Sequence, residues 1–472
     1  MNEGEKMGPI TLANIREHIV GWDKEVPLAT GGRRRFVYLD NAASTPALAP
    51  VRDKVDELIG WYSSIHRGAG FKSAVATFAY EQARRAVLDF VGAGNGHHIA
   101  VFTCNTTEAV NRLACSLPYP ESPVVLVSPL EHHSNDLPWR RYAELAYLPL
   151  APDGRVDLAA AERLVESLSD RLALVAVTGA SNITGQLLPI HELAKIAHAH
   201  GVRILVDAAQ LAPHLPIRME PGEPGAELDY IAVAGHKMYA PYGGAALVGR
   251  RDALESCKPA CRGGGTVKLV TRGSVEWADP PGLLEPGTPN VVGAVALATA
   301  AKTLLTLGFD AVKRRERELT GLLLEGLRGI PGIAIYGSTE PGEQEERLGV
   351  ASFNLKNLPH QLVAAALAYE GGIGVRNGCF CTQPYVFELL SLGRGEFAER
   401  SKEMLGGDRR RAPGMVRASL GLYNDEEDIS HFLAELARLA EEGPRLEYVQ
   451  DRATGAFHPA GWTLEPGEFF RL

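Results

Sequence analysis

Between about residue 97 and residue 250, short apolar runs alternate with stretches of helical pattern, and this alternation is the strongest constraint on what the chain can fold into. "HIAVFT" precedes "TEAVNRLACSL", "VVLVS" precedes the polar "EHHSNDLPW", "AYLPL" precedes "VDLAAAERLVESL", and "ALVAVTGA" precedes "LPIHELAKIAHAHG". "RILVDAAQ", "DYIAVAG" and "AALVG" complete the series. Strands bounded by helices at this spacing predict an α/β fold, a mostly parallel sheet with helices on both faces. Gly201 is placed to cap the helix before it.

From roughly residue 290 the pattern changes. A long helical stretch, "VVGAVALATAAKTLLTLG", is followed by a second from Asp310 to Leu327, then by "GVASFNL", "LVAAALAYEGGIGVRNG" and "DEEDISHFLAELARLAEE". This predicts an α+β second domain. The reading divides the chain into a segment 1–45 that joins the smaller domain, a large α/β domain 46–295, a small α+β domain 296–445 and an extension 446–472. "GSTEPGEQEERLG" reads as an exposed loop.

Composition excludes several classes. Apolar residues make up 45% and charged ones 22%, so the chain is neither wholly disordered nor fibrous. A formal net charge of −9, with basic clusters only at Arg33 to Arg35 and Arg409 to Arg411, argues against a nucleic-acid partner. No apolar stretch reaches the roughly 18–20 residues of a membrane span, and the N-terminal residues carry no signal-peptide core, so a cytoplasmic location is expected. Six cysteines are few for 472 residues, as in a reducing compartment.

In open α/β sheets ligands sit beyond the carboxyl ends of the strands, so the residues that follow each strand carry the chemistry. After "VFT" come Thr106 and Thr107, whose hydroxyls and backbone amides could cap a helix or hold a phosphate. After "VVLVS" comes His132, which could stack on a ring or move a proton. Asp207 ends an apolar strand and needs a cationic or donor partner, and Gln210 follows it. Lys237 ends "DYIAVAGHK", where a partly dry site would lower its pKa and make it a nucleophilic amine. Each residue alone has an ordinary structural explanation. Together they call for a flat, phosphorylated, nitrogen-bearing aldehyde, and pyridoxal 5'-phosphate fits each slot.

At these residues the sequence resembles the class V aminotransferase family of pyridoxal-phosphate enzymes, in its cysteine desulfurase and selenocysteine lyase branch. The match runs in one order from "YLDNAASTP" (38–46) to "VRASLGLYN" (416–424). The resemblance implies fold type I, the aspartate aminotransferase-like architecture with a large, mostly parallel seven-stranded sheet and a smaller α+β domain. It implies that "TCNTTEAVN" puts Thr107 and Thr106 on the phosphate, that His132 stacks on the ring, and that "SNITG" puts Asn182 near cofactor or substrate. It gives Asp207 to the pyridine nitrogen, Gln210 to the phenolic oxygen, His236 to the phosphate and Lys237 to the Schiff base. "SIHRGAG" implies a substrate-side role for His66. "EPGTPN" implies a homodimer in which Gly287 and Thr288 touch the neighbour's phosphate. "VRASLGLYN" places Arg417 on the substrate carboxylate, and "VRNGCFC" places Cys381 as nucleophile with Arg376 nearby.

The implied reaction removes sulfur or selenium from an L-cysteine-type amino acid, giving alanine through a persulfide on Cys381, with a possible sulfur-acceptor protein as partner. The chain departs from the desulfurase pattern at Ala234, at Gly70 and in the polar insert 387–414. Gly70 and the insert motivate an alternative: an epimerase, a β-lyase or an aminotransferase for another amino acid. A structural zinc site on Cys257, Cys261, Cys379 and Cys381 is a third reading, disfavoured by the ligand spacing, so no metal is expected.

Overall fold

The apolar runs form one seven-stranded sheet in the computed structural model, which describes residues 8–66, 68–94, 96–338 and 347–472. Most of the expected 337–349 loop, and Arg67 of "SIHRGAG", lie outside the described residues. The strands are β1 (His98–Thr103), β2 (Val124–Val127), β3 (Glu144–Tyr147), β4 (Leu172–Thr178), β5 (Ile204–Asp207), β6 (Tyr230–Ala234) and β7 (Ala245–Arg250), in the spatial order β1-β7-β6-β5-β4-β2-β3. Pairing is parallel from β6 to β3, while β7 runs antiparallel to both β6 and β1. The connection from β6 to β7, residues 235–244, is too short for the crossover of about a dozen residues that a parallel neighbour needs. Strands β1, β2, β5 and β6 are buried at every residue, as their continuous apolar composition requires once helices cover both faces.

Helices α1 (Ala49–Trp61), α2 (Phe71–Phe90), α3 (Thr106–Ser116), α4 (Leu158–Leu168), α5 (Ile190–Ala199) and α6 (Val291–Leu307) belong to the same unit, together with the described residues up to Val20 and those from Ser44 to Asn182 and Gln186 to Arg315. The reading from sequence ended the large domain at 295, but α6 packs along α1 and α2 and stays with the sheet. It is apolar almost all round, which suits a helix buried on most sides. Its cap Asn290 accepts the Gly293 N–H at 2.8 Å and donates to the carbonyls of Tyr242 and Gly243 at 2.9 and 2.8 Å. One side chain thus ties the helix start to the loop after Lys237. Gly244 lies so close to Gly293 that a side chain there would overlap the Gly293 carbonyl.

Glu285 anchors the loop before α6. Arg84 of α2 meets it with both terminal nitrogens, Nη1 to Oε1 at 2.8 Å and Nη2 to Oε2 at 3.0 Å, while Tyr80 Oη and the Phe102 N–H donate at 3.0 and 2.7 Å. Arg112 of α3 donates to the Leu284 carbonyl next to it.

The second unit holds Gly21–Ala43, Ile183–Gly185 and Glu316–Leu472. Its sheet consists of β8 (Ile333–Tyr336), β9 (Val350–Leu355), β10 (Arg376–Gly378) and β11 (Met415–Ser419), antiparallel throughout in the order β8-β9-β11-β10. The helix Phe309–Arg328, α7, enters it with Leu319, Leu323 and Leu327, which pack with Phe353, Val416 and Phe432. Helices α8 (His360–Gly371) and α11 (Glu426–Glu442) complete this core, and Val37–Tyr38 pairs in parallel with Ile373–Gly374. The insert 387–414 holds the end of α9 (Gln383–Leu389) and all of α10 (Arg394–Leu405). Arg411 pairs with Glu399 and Glu403 at 2.9 Å, and Arg410 with Asp408 at 2.6 Å, so this basic cluster is matched by its own acids. Among the described residues no single helix is long and apolar enough to cross a membrane.

Candidate active site

The first unit gathers most of the expected cofactor residues at the carboxyl ends of its strands. Asp207 closes β5 and Lys237 follows β6, its parallel neighbour. Lys237 Nζ lies 3.3 Å from Gln210 Oε1. Asp207 accepts the Ala209 N–H at 3.0 Å and is buried. Burial pushes its carboxyl up, while that N–H and the Lys237 charge pull it down. His236 is driven down to about 4 by burial and then by the adjacent lysine, so its imidazole is neutral at pH 7. Its carbonyl is pinned by the Thr45 N–H at 2.8 Å and the Ser44 hydroxyl at 3.1 Å.

The helix α3 starts at Thr106, with Asn105 capping it by accepting the Glu108 N–H at 2.8 Å. Thr106 Oγ1 is buried and has no hydrogen-bond partner among the described residues. A hydroxyl in that position, at the positive end of a helix, is a donor waiting for an anion. Thr107 Oγ1 lies 2.6 Å from Ser134 Oγ, which lies 2.9 Å from His132 Nδ1. The Ser134 N–H also donates to Nδ1 at 3.1 Å, which fixes that nitrogen as acceptor and leaves the proton on Nε2. Sequence reasoning did not single out Ser134. The only signal was its position two residues after His132, where a backbone turn folds it back.

Glu131 was also missed as a site residue. It is fully buried beneath the site and accepts from Ser128 Oγ at 2.5 Å, Asn135 Nδ2 at 2.7 Å and the Thr178 N–H at 2.7 Å. Burial, opposed by these donors and reinforced by Asp207, raises it to about 8.

Asn182, Gly287, Thr288 and His66 lie in the same unit. Asn182 is buried within the unit. Gly287, at φ +79, and Thr288 are exposed on the loop that Glu285 anchors. His66, at φ +64, sits 3.1 Å from Glu81 Oε1 and edge-on to Tyr80.

The second unit carries two of the expected substrate residues, Arg417 and Arg376, and Cys381. Arg417 on β11 is buried, donates from Nη2 to Asp40 Oδ1 at 3.1 Å, and stacks on Phe380 at 4.7 Å. Burial, against the pull of Asp40, lowers its pKa to about 10. Arg376 on β10 takes the other oxygen of Asp40 at 2.8 Å. The arginine expected to bind substrate therefore already has a protein carboxylate on one nitrogen. Cys381 is exposed. Among the described residues no three His, Cys, Asp or Glu side chains converge as metal ligands.

A lysine and a buried aspartate at adjacent parallel strand ends, with an unsatisfied threonine at a helix start, define the class: an α/β enzyme built to hold an anionic, aldehyde-bearing cofactor. The profile of the family described as aminotransferase class-V matches residues 37–432, and the chain belongs to that family, whose members depend on pyridoxal phosphate. It is 33% identical over 415 residues to a protein of Halalkalibacterium halodurans named probable cysteine desulfurase, covering 86% of this chain and 93% of that one. A protein of Halobacterium salinarum with the same name is 33% identical over 441 residues, 92% of this chain and 97% of that one. The apo structure of the cysteine desulfurase of Thermococcus onnurineus NA1 superposes with a TM-score of 0.78 at 29% identity, covering 92% of this chain and all of that one. The cysteine desulfurase CsdA of Escherichia coli gives 0.75 at 26% identity over 92% of this chain and 99% of its own. These similarities agree with the fold expected from sequence.

Proposed function

We propose that the protein is a cysteine desulfurase, converting L-cysteine to alanine and retaining the sulfur on Cys381. The observation that carries the reading is Lys237 beside Gln210 and next to buried Asp207, in a chain that also presents an exposed Cys381 five residues after Arg376. The residues fit pyridoxal phosphate. Thr106 has a buried hydroxyl for its phosphate, and Asp207 is a buried carboxylate that a protonated ring nitrogen would stabilise.

When bound, the cofactor supplies an aldehyde for the amino group and an electron-withdrawing ring that stabilises negative charge at Cα. Lys237 would hold it covalently through Nζ, and the same amine is the base placed to take the Cα proton. Asp207 holds the ring nitrogen in its protonated form, Gln210 serves the phenolic oxygen, and His132 serves the ring face. Thr106, Thr107 and neutral His236 donate to the phosphate. Arg417, whose planar guanidinium suits paired N–H donation, is the group that binds the substrate carboxylate. The Cys381 thiolate attacks the substrate sulfur, forming an S–S bond as the Cβ–S bond breaks. The electron pair stays with the carbon fragment, which takes up protons and leaves as alanine. The protein is left with a persulfide, and a thiol of an acceptor protein or reductant removes the outer sulfur. The exposed Gly287 and Thr288 support a homodimer in which this loop meets the neighbour's phosphate.

Cofactor-loaded protein incubated with L-cysteine and dithiothreitol is expected to release alanine and sulfide in equal amounts. Absence of alanine overturns the reading. Cys381→Ala should keep the visible cofactor band and lose sulfide release; full activity in that variant removes the nucleophile assignment.

A further inference from the structure

One packed group in the second unit is not demanded by the chemistry above. Strands β10 and β11 place Arg376 directly opposite Arg417, and like charges in that register repel. Asp40 bridges them, one carboxylate oxygen to each guanidinium. Two arginines on neighbouring strands thus share one carboxylate.

The face of the Arg417 guanidinium is covered by the Phe380 ring. Phe380 is buried, and it and Cys381 are consecutive non-glycine residues with φ of +52° and +57°. L-residues rarely adopt that conformation, and it persists where the surroundings enforce it. The turn is closed by the Thr382 N–H on the Cys379 carbonyl at 2.9 Å, and Cys379 Sγ donates to the Pro413 carbonyl at 3.1 Å. The ring at the tip of this turn packs on Arg417, and the exposed Cys381 is the next residue along it.

We propose that Phe380 is a positioning residue: its ring clamps Arg417 and by the same contact holds the left-handed turn that presents the Cys381 thiol. Carboxylate binding and thiol presentation are then set by one packed unit, with Asp40 fixing the guanidinium edge and Phe380 its face. The role assigned to Arg417 and Cys381 rests on the desulfurase reading; the mechanical link between them does not.

The test uses cofactor-loaded wild type, Phe380→Leu, Phe380→Tyr and Arg417→Lys. Alkylation of Cys381 by iodoacetamide, followed on its own peptide, needs no turnover. Phe380→Leu and Arg417→Lys are expected to change that rate by about threefold or more, in the same direction, as loss of a cation–ring contact would give, while Phe380→Tyr stays near wild type. In Phe380→Leu the KM for L-cysteine should rise roughly tenfold with a smaller change in kcat. Unchanged alkylation in Arg417→Lys overturns the link, and that variant decides the matter if Phe380→Leu does not fold. A wild type that makes no alanine sinks the desulfurase reading while leaving the alkylation result to stand or fall by itself.

Discussion

Glu131 shows how burial changes what a single residue contributes. Its carboxyl is raised in the folded chain from the ordinary 4.5 to about 8. An acid raised on folding binds its proton more tightly in the native state, so the contribution is complete below about pH 4.5 and fades as pH rises through about 8. Cofactor-free protein is therefore expected to lose thermal stability between about pH 5 and about 9, and Glu131→Gln to flatten that slope. A variant as pH-sensitive as wild type would show that other groups set the slope. Lys237, Asp207 and Gln210 were legible from sequence, because a strand-end rule and a few intervening residues locate them. Asp40 was not, although it lies within "YLDNAAS": its partners Arg376 and Arg417 are more than 300 residues away, and only the antiparallel register of β10 and β11 turns them toward it.

The strand order and helix alternation were legible because each buried strand is a continuous apolar run. The reversal of β7 was not predicted, although the length of 235–244 already forbade a parallel return. The same short loop gives Asn290 an unusual load. Its side chain caps α6 and also satisfies two carbonyls beside Lys237, so Asn290→Ala should cost more than the roughly 1 kcal/mol of a lost N-cap. We expect about 2 kcal/mol in denaturant unfolding, with weaker cofactor retention, because two solvent-facing hydrogen bonds at about 0.5 kcal/mol each are lost together with the cap. A cost confined to about 1 kcal/mol would mean that the loop repacks. Gly244→Ala should be more damaging still, since the backbone of Gly293 cannot retreat from an added methyl without unseating the helix start.

At the scale of the whole molecule, the proposed dimer predicts complementation. Lys237→Ala removes a chain's own amine, and Thr288→Glu puts a negative charge where the partner's phosphate would lie. Each variant alone should be inactive. Mixed dimers should recover up to about half of wild-type activity, because one of the two sites draws its lysine from one chain and its Thr288 from the other. No recovery, with hybrids demonstrated by mass, would show that the loop serves its own chain or none. Domain limits were the least legible feature from sequence. They depend on which helices share a core, and α6 reads as a boundary helix by pattern although it packs with α1 and α2.

The Glu285 anchor has a consequence for how such a chain can change over time. Four donors from one helix and a strand meet one carboxylate, two of them from Arg84. Removing Arg84 alone leaves Glu285 a buried charge without its counter-charge, at about 3–5 kcal/mol, and removing Glu285 leaves Arg84 with Glu81, while exchanging both for apolar residues can be close to neutral. Single substitution of Arg84 is thus closed to drift, although the double exchange is not. Relatives that have lost Arg84 should have lost Glu285 with it.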